Sequence, residues 1–310
     1  MNTPPEVTVA ICCYNAEKYL PKLLELLIQQ SCPLPWEVLI VDNNSNDNSS
    51  CIIKDFSKKS NTPVRYVLEL EQGIPYARNR AIMESKGSTF LAFIDADELP
   101  DKNWLTTAIG SLQANSADCV GGEIGLDLPQ RPAWLCDNLL PFLGQVNHGN
   151  TSFQIQDGST PVWSGNIAYR MSLFSDDLCF DVRYNRKGQG IGGGSDAVLF
   201  LKLLEAKCLI YYEPEMRIIH LIPHEKLTRT YFLKLHYISG KKNGLYEINI
   251  GGVRKIFGVP RYMLLLVGMK LLTTLKLFIT NRPYMREAMN LSHLIGQIVG
   301  LSQNDNSKGL

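Results

Sequence analysis

The stretch FLAFIDADELP occupies residues 90–100 and places acidic residues directly after five apolar ones. A short apolar run bounded by turn-forming residues predicts a buried β-strand over Phe90–Ile94. Asp95 and Asp97 follow where this strand ends. Two carboxylates one residue apart can hold a hard divalent cation and leave coordination positions open for phosphate oxygens. The alternative is a polar turn in which Asp97 or Asp101 caps the next helix.

Two earlier segments also join an apolar run to a polar loop, namely VTVAICCYN at residues 7–15 and WEVLIVDNNSND at residues 36–47. Segments with helical spacing of apolar residues alternate with the strand-like runs, at residues 19–30, 51–59 and 77–85. This alternation predicts an α/β fold with a mostly parallel central sheet and helices on both faces. Ligands bind such sheets at the carboxyl ends of the strands, so we expect the three polar loops to meet at one edge.

Composition limits the class of protein. The chain has 310 residues, of which 45% are hydrophobic and 20% charged, with a formal net charge of +1. The length and the hydrophobic content suffice for a large core and exclude disorder over most of the chain. The near-zero net charge argues against nucleic-acid binding through overall charge. The eight cysteines lack metal-ligand spacing, and the polar start at residues 1–5 has no leader pattern. We therefore expect reduced thiols and a cytoplasmic body.

The segment GIPYARNR at residues 73–80 places two arginines and an asparagine at the start of a predicted helix. Guanidinium groups and the free backbone N–H groups of a helix start favour an anionic phosphate. The alternative is an ordinary solvated helix start.

The segments quoted above, together with GNIAYR at residues 165–170 and GSDAVLFLKLL at residues 194–204, resemble family 2 of the inverting glycosyltransferases. The resemblance extends over Val7–His220 and implies the GT-A fold. It implies a catalytic domain over residues 1–250, with a nucleotide-binding half at 1–120 and an acceptor-binding half at 121–250. The remainder, 251–310, is expected to form a basic helical tail.

The resemblance also implies roles for particular residues. Asn43 stands where the family usually has a second aspartate, and its amide can still bond the imide edge of uracil or thymine. Asp95 and Asp97, with His220, match metal-binding positions for Mg²⁺ or Mn²⁺, although a lone histidine among apolar residues is more often a core residue. The expected nucleotide-binding residues are Cys12, Tyr14, Asp42, Asn43, Arg78 and Asn79.

By the same resemblance, Asp196 occupies the place of the general base, and Ser195 replaces the glutamate that usually precedes it. Its alternative role is an N-cap of the helix that it opens. Trp163 and Asn166 lie in a segment that matches the loop for acceptor and transferred sugar. The alternative there is a turn that leads into a strand.

The tail has a charge pattern of its own, with seven basic residues and no acidic one between Ile248 and Arg286. Its apolar runs, residues 262–269 and 271–275, are each shorter than the roughly 18 to 20 residues that cross a bilayer. On a helical projection Lys270 and Lys276 share one face, while Leu272, Leu275 and other apolar residues share the opposite face. This pattern predicts an amphipathic helix on an anionic membrane surface or, alternatively, one that packs on the catalytic domain.

The expected function is metal-dependent, inverting transfer of a sugar from a nucleotide-diphosphate donor, UDP- or dTDP-linked, to a hydroxyl of a glycan or lipid-linked acceptor. Polysaccharide synthesis is the expected context, in the cytoplasm and peripherally on the cytoplasmic face of the plasma membrane, with no nucleic-acid partner. Two alternatives stay open at this point. One is a nucleotidyltransferase acting on sugar phosphates, and the other is a non-catalytic, membrane-associated scaffold that binds a sugar or nucleotide.

Overall fold

A computed structural model describes residues 5–174, 178–186, 190–246, 248, 255–256 and 259–307. Arg254, one of the seven basic residues of the tail, lies outside the described residues. The chain divides into two compact units, of which the first comprises Met1–Leu128, Leu143–Gln189 and Gly194–Ile222 and the second Pro129–Phe142, Gly190–Gly193 and Pro223–Leu310. These divisions differ from the predicted boundaries after residues 120 and 250, and the assignment of a function to each half stays a prediction.

Nine strands of the first unit form one sheet in the described chain. They are β1 (Val7–Cys13), β2 (Trp36–Asp42), β3 (Val64–Leu68), β4 (Phe90–Ile94), β5 (Glu98–Pro100), β6 (Cys119–Asp127), β7 (Phe153–Gln154), β8 (Asn166–Arg170) and β9 (Ile210–Leu221). Their order is β3-β2-β1-β4-β8-β6-β9-β5, and β7 pairs with β9. The predicted α/β architecture is confirmed, and the three predicted polar loops follow β1, β2 and β4 as expected.

One parallel part of the sheet consists of β3, β2, β1 and β4, and β6 and β9 also pair in parallel. Strand β1 lies inside the first of these parts, and Val7, Val9 and Ile11 are completely buried. A strand covered by helices on both faces needs a nearly continuous apolar sequence, which explains VTVAICC. The antiparallel strand β8 extends the sheet from β4 in the register Ile94 to Asn166. The segment over residues 121–194 thus contributes strands to the sheet. Its periodic signal in the sequence is weak because β6 contains glycines and β7 has only two residues.

Helices of the first unit are α1 (Leu20–Leu27), α2 (Ser49–Ser57), α3 (Ile74–Glu84), α4 (Trp104–Ala114) and α5 (Ser195–Glu205). In α1 the leucines at 20, 23, 24 and 27 are buried. The apolar side chains that predicted this helix therefore face the core. Proline occupies the first turn of both α1 and α3, where its missing N–H has no helical partner in any case.

The second unit contains α6 (Arg229–Tyr246), the two-residue strands β10 (Lys255–Ile256) and β11 (Val259–Pro260), α7 (Arg261–Ile279) and α8 (Met285–Ser307). Helices α6 and α8 approach closely through two glycine pairs, Gly240 with Gly244 and Gly296 with Gly300. A methyl group at Gly240 would overlap the backbone oxygen of His293, and one at Gly296 would overlap that of Tyr237. Glycine spacing of four residues thus brings the two backbones together.

Helix α7 joins the two apolar runs of the tail into one element. Those runs were predicted to be separate and too short to cross a membrane. In the described part of the chain, α7 is the one helix with the length and composition for a membrane span, with a mean hydropathy of 1.7 and 6% of that window buried. The prediction counted the apolar runs on either side of Lys270 separately when it considered a membrane span. Helix α7 continues through Lys270, a residue of high helix propensity.

We expect Gly240→Ala to lower the free energy of unfolding by about 1–3 kcal/mol, because the added methyl group must separate two backbones. Gly268→Ala in α7 is the matched control. An added methyl group there meets no atom within 4 Å, and alanine should raise stability by about 0.5–1 kcal/mol through helix propensity. Urea unfolding measures both variants. Equal stability of the two would contradict the close packing of α6 and α8.

Candidate active site

A cavity of about 200 Å³ lies at the carboxyl ends of β1, β2 and β4 in the first unit. Its walls come from the three predicted polar loops and from the start of α3. The lining residues include Cys12, Tyr14, Asn15, Tyr19, Asn43, Ile74, Asp95, Asp97 and Arg186. The site therefore lies where ligands bind in open α/β sheets.

Backbone-directed hydrogen bonds fix the loop after β1 against the loop after β2. Asn15 has φ +49° and its backbone N–H donates to the Ser45 hydroxyl over 2.9 Å, while its side-chain oxygen accepts from the Asn46 N–H over 2.9 Å. The N–H of Ala16 donates to the Ser49 hydroxyl over 2.9 Å. These bonds explain the density of short polar residues there, since asparagine and serine pair readily with nearby backbone groups.

Arg78 on α3 is the central side chain of the site. Its side chain is only 3% exposed and bonds two carboxylates, since Nη2 donates to Asp95 Oδ1 over 3.0 Å and Nη1 donates to Asp196 Oδ1. The Phe180 ring lies 5.4 Å from the guanidinium carbon. Burial alone would lower the pKa of Arg78, but Asp196 and Asp95 raise it above the ordinary arginine value. The arginine is therefore a permanent buried cation.

Asp196 lies in the first turn of α5, and Gly194, two residues before it, has φ +112°. Its side chain is 29% exposed. Burial raises the pKa of Asp196 above the usual aspartate value, while Arg78 and a hydrogen bond from the Ser164 hydroxyl act to lower it. The side-chain bond of Asp196 thus goes to Arg78, and among the described residues no side chain caps the start of α5. This arrangement differs from a simple N-cap.

The turn after β4 is held by a buried carboxyl. Glu98 Oε2 accepts the Asp95 backbone N–H over 2.9 Å, and the Glu98 N–H donates to the Asp95 backbone oxygen over 3.1 Å. Burial raises the pKa of Glu98 well above its ordinary value, with Asp95 and Asp97 adding to the shift. Gly165 lies directly against this carboxyl, where a side chain would overlap it. The turn thus presents Asp95 and Asp97 to the cavity while Glu98 lies beneath them.

Asp97 and His220 are neighbours, with 3.3 Å between Asp97 Oδ2 and His220 Nε2, because β5 and β9 pair Glu98 with His220. One carboxylate oxygen and one imidazole nitrogen suit a cation such as Mn²⁺. Both oxygens of Asp95 lie within 3.3 Å of Arg78. Within the described ranges no three histidine, cysteine or acidic side chains form a ready-made metal cluster. Asp97 and His220 therefore supply two donors, and a cation held there would take its other ligands from outside this pair.

Two predicted nucleotide residues, Cys12 and Tyr14, line the cavity. Burial raises the pKa of the Cys12 thiol to about 12, against a smaller lowering by Arg78. The thiol is therefore neutral near pH 7 and offers a polarizable wall rather than a charge.

Asp42 and Asn43 have internal partners. Asp42 is 1% exposed, and its carboxylate accepts from the Tyr66 hydroxyl over 2.9 Å and from the Ser45 N–H over 3.0 Å. The Asn43 amide donates to the Glu71 backbone oxygen over 2.7 Å and accepts from the Gly73 N–H over 2.6 Å. Gly73 is required here by φ +145° and by close contact with Asn185. Asn43 thus lines the cavity while its side chain positions the start of α3.

The side chains of Asn79 and Asn166 both make internal hydrogen bonds. Asn79 exchanges two hydrogen bonds of 2.9 Å with the backbone of Phe180, and so positions the ring against Arg78. Asn166 is fully buried, accepts from Trp104 Nε1 over 2.7 Å and donates to two backbone oxygens. Trp163 is half-buried and packs against the sheet core. Asn166 is therefore a core amide, and its predicted contact with a sugar has no support in this geometry.

Arg186 is a functional candidate that the sequence reasoning missed. It lines the cavity, and its Nε atom is buried without a hydrogen-bond partner among the described residues. Its charge also acts to lower the pKa of Asp196. The sequence feature that could have indicated Arg186 is its position as a basic residue just before the glycine-rich segment that precedes α5.

Part of the sequence matches a known enzyme family. The model of a family described as Glycosyl transferase family 2 matches residues 8–178, which is more than half of the chain. The chain belongs to glycosyl transferase family 2. The predicted resemblance is thereby confirmed, and the matched region contains most of β1, all of β2 to β8, and Arg78, Asp95 and Asp97.

This family 2 chain is 33% identical over 129 residues to glycosyltransferase AglE of Haloferax volcanii, a match that covers 41% of the chain and 42% of AglE. It is 33% identical over 129 residues to the poly(ribitol-phosphate) β-N-acetylglucosaminyltransferase TarS of Staphylococcus aureus, covering 40% of the chain and 22% of TarS. The matches thus span less than half the length of either relative. ExoM, a succinoglycan biosynthesis protein of Rhizobium meliloti, is 23% identical over 83% of the chain and 81% of its own length.

Among solved structures, S. aureus TarS 1–349 in complex with UDP superposes with a TM-score of 0.56 at 17% identity, covering 97% of the chain and 92% of that structure. GalNAc-T7 with UDP, GalNAc and Mn²⁺ gives a TM-score of 0.56 at 14% identity, covering 80% and 52%. At this identity the likeness establishes the fold, and the predicted GT-A architecture of the family 2 chain is confirmed.

Ser164→Ala should raise the pKa of Asp196 further, because the hydroxyl stabilises the charged carboxylate and its removal favours the protonated form. Carbon-13 NMR titration of labelled aspartate carboxyl groups measures this shift. Ser159→Ala, which removes a comparable hydroxyl from the exposed Asp157, is the matched control and should leave Asp196 unchanged. An unchanged or lowered pKa of Asp196 in Ser164→Ala would contradict the contact.

Proposed function

We propose that this family 2 protein transfers a sugar, with inversion, from a UDP-sugar to a hydroxyl of a glycan or lipid-linked acceptor. The proposal rests on one observation, namely that Arg78 pairs with both Asp95 and Asp196. These two carboxylates have different expected roles, one beside the donor and one as the base. Asp95 belongs to the cavity lining, and Asp196 opens the helix at the expected position of the base. One buried cation thus links the donor side of the site to the catalytic base.

The cavity composition supports a nucleotide-diphosphate donor. Tyr14 and Tyr19 offer aromatic surfaces for a base and ribose, and the unpaired Nε of Arg186 offers a donor for an anionic diphosphate. UDP is favoured over dTDP because the similar TarS structures are complexes with UDP and with UDP-GlcNAc. The transferred sugar itself has no residue-level support, since Asn166 lies in the core.

We assign a divalent cation, Mg²⁺ or Mn²⁺, to Asp97 and His220, with Asp95 beside them. When bound, such a cation neutralises negative charge that develops on the diphosphate leaving group. The Asp95 carboxylate accepts a hydrogen bond from Arg78. This bond orients Asp95 whether or not an ion is bound. The mixed carboxylate and imidazole set favours Mn²⁺, the ion named with the GalNAc-T7 structure.

Asp196 acts as general base, taking the proton from the acceptor hydroxyl as its oxygen attacks the anomeric carbon opposite the diphosphate. A base with a raised pKa is the better proton acceptor near neutral pH. Arg78 keeps the carboxylate from being protonated too readily and fixes its direction. Attack from the face opposite the leaving group inverts the anomeric configuration.

A cytoplasmic location accompanies this proposal. All eight cysteines are free in the structure, including the buried Cys13 and Cys119, which suits a reducing compartment. The similarity to ExoM, a succinoglycan biosynthesis protein, supports a context of polysaccharide synthesis.

Release of UDP from UDP-sugars in the presence of Mn²⁺ tests the function. Asp196→Asn should reduce turnover by roughly 10²–10⁴-fold while donor binding is retained, because the proton acceptor is lost and the residues that line the donor cavity are unchanged. Asp97→Asn should instead weaken metal-dependent donor binding. Asp157→Asn, an exposed carboxylate, is the control and should behave as wild type.

The assignment is wrong if UDP release survives in both site variants. Release of pyrophosphate in place of UDP would favour the alternative of nucleotidyl transfer.

A further inference from the structure

Helix α7 exposes an unusually large apolar surface. Leu265 is 64% exposed, Leu272 70%, Phe278 62% and Ile279 79%. Monomeric soluble proteins rarely leave a continuous apolar surface of this kind without a binding partner. The predicted helix is therefore present, and many of its apolar side chains are exposed.

Only a narrow side of α7 is covered within the second unit. Met263 is buried with Leu294 and Leu301 of α8. At mid-helix, Lys270 Nζ lies 2.8 Å from Glu287 Oε2 of α8. A helix that rests along one side on a polar, charged helix cannot have lipid on all sides. This arrangement favours a position in the membrane interface over a span across the bilayer.

A cavity of about 310 Å³ lies just beyond the end of α7. Arg229, Arg282 and Arg286 line it, no acidic residue does, and Ile279 at the end of α7 precedes Arg282 by three positions. In the part of the chain that the structure describes, none of these three arginines forms an ion pair with a carboxylate. Their positive charge is thus uncompensated.

Aromatic rings hold two of these guanidinium groups in place. Arg229 lies 5.6 Å from the Trp134 ring and 5.8 Å from the Tyr284 ring, and Arg286 lies 4.7 Å from the Phe142 ring. Such stacking orients arginine without neutralising it, so the N–H groups stay available for an anion. The first turn of α8 begins at Met285 in the cavity wall and adds partial positive charge.

We infer that this cavity binds the phosphate of an anionic phospholipid headgroup while the exposed side of α7 lies among the acyl chains of the same leaflet. Guanidinium groups match phosphate geometry through paired hydrogen bonds. The apolar helix and the arginine cavity are continuous along the chain, and together they supply the two components of interfacial binding, apolar burial and electrostatic attraction. Membrane binding of this kind is independent of the glycosyl transfer proposed above.

Co-sedimentation of the full chain with lipid vesicles tests the inference without any need for turnover. Wild-type protein should bind phosphatidylglycerol vesicles more tightly than phosphatidylcholine vesicles. Arg282→Gln with Arg286→Gln should weaken binding to phosphatidylglycerol roughly tenfold and change binding to phosphatidylcholine little. Leu265→Ser with Leu272→Ser should weaken binding to both lipids.

The matched control removes two exposed charges elsewhere, as Lys86→Gln with Lys102→Gln, and should bind both lipids as wild type. If this control lost binding as much as the arginine variant does, general surface charge rather than the cavity would explain the binding, and the inference would be overturned. Unchanged binding in the double arginine variant would also overturn it. If inorganic phosphate raises the melting temperature of wild type but not of the arginine variant, while both bind phosphatidylglycerol equally, the cavity holds free phosphate and the lipid assignment is overturned.

Discussion

The buried guanidinium of Arg78 is the interaction on which the site depends. It bonds Asp95, which lies 17 residues away in the chain, and Asp196, which lies 118 residues away. A buried cation is strongly unfavourable without partners, and removing one partner from such a group typically costs about 3–5 kcal/mol. Arg78 therefore has both of its partners only when the turn after β4 and the start of α5 lie against α3. Formation of the site and formation of the fold share this constraint.

The surrounding loops make the constraint precise. Glu98 holds the acidic turn from below, Asn43 holds the start of α3, and Asn79 positions Phe180 against the guanidinium. Each of the three uses its polar side chain for internal hydrogen bonds, which limits its freedom to move. Side chains that line the cavity, such as Tyr14, are therefore carried by loops that other residues already fix.

The sequence predicted much of this arrangement and missed an identifiable part. Strong apolar runs revealed β1, β2 and β4, and the rule for strand ends located the cavity. Periodicity could not reveal whether a polar side chain such as Asn166 faces a ligand or the core, because a buried amide with internal partners has the same sequence signal as a binding residue. The ion pairs of Arg78 depend on contacts between distant segments. The length of the apolar segment in α7 was underestimated because the runs on either side of Lys270 were measured separately.

A double-mutant cycle between Arg78→Met and Asp196→Asn, read as the free energy of unfolding in urea, tests the central claim most directly. Direct contact through a buried charged hydrogen bond predicts that the two substitutions are not additive, with a coupling free energy of about 1–3 kcal/mol. Additivity within about 0.5 kcal/mol would show that the two side chains do not interact, and would contradict the central role of Arg78 in the site.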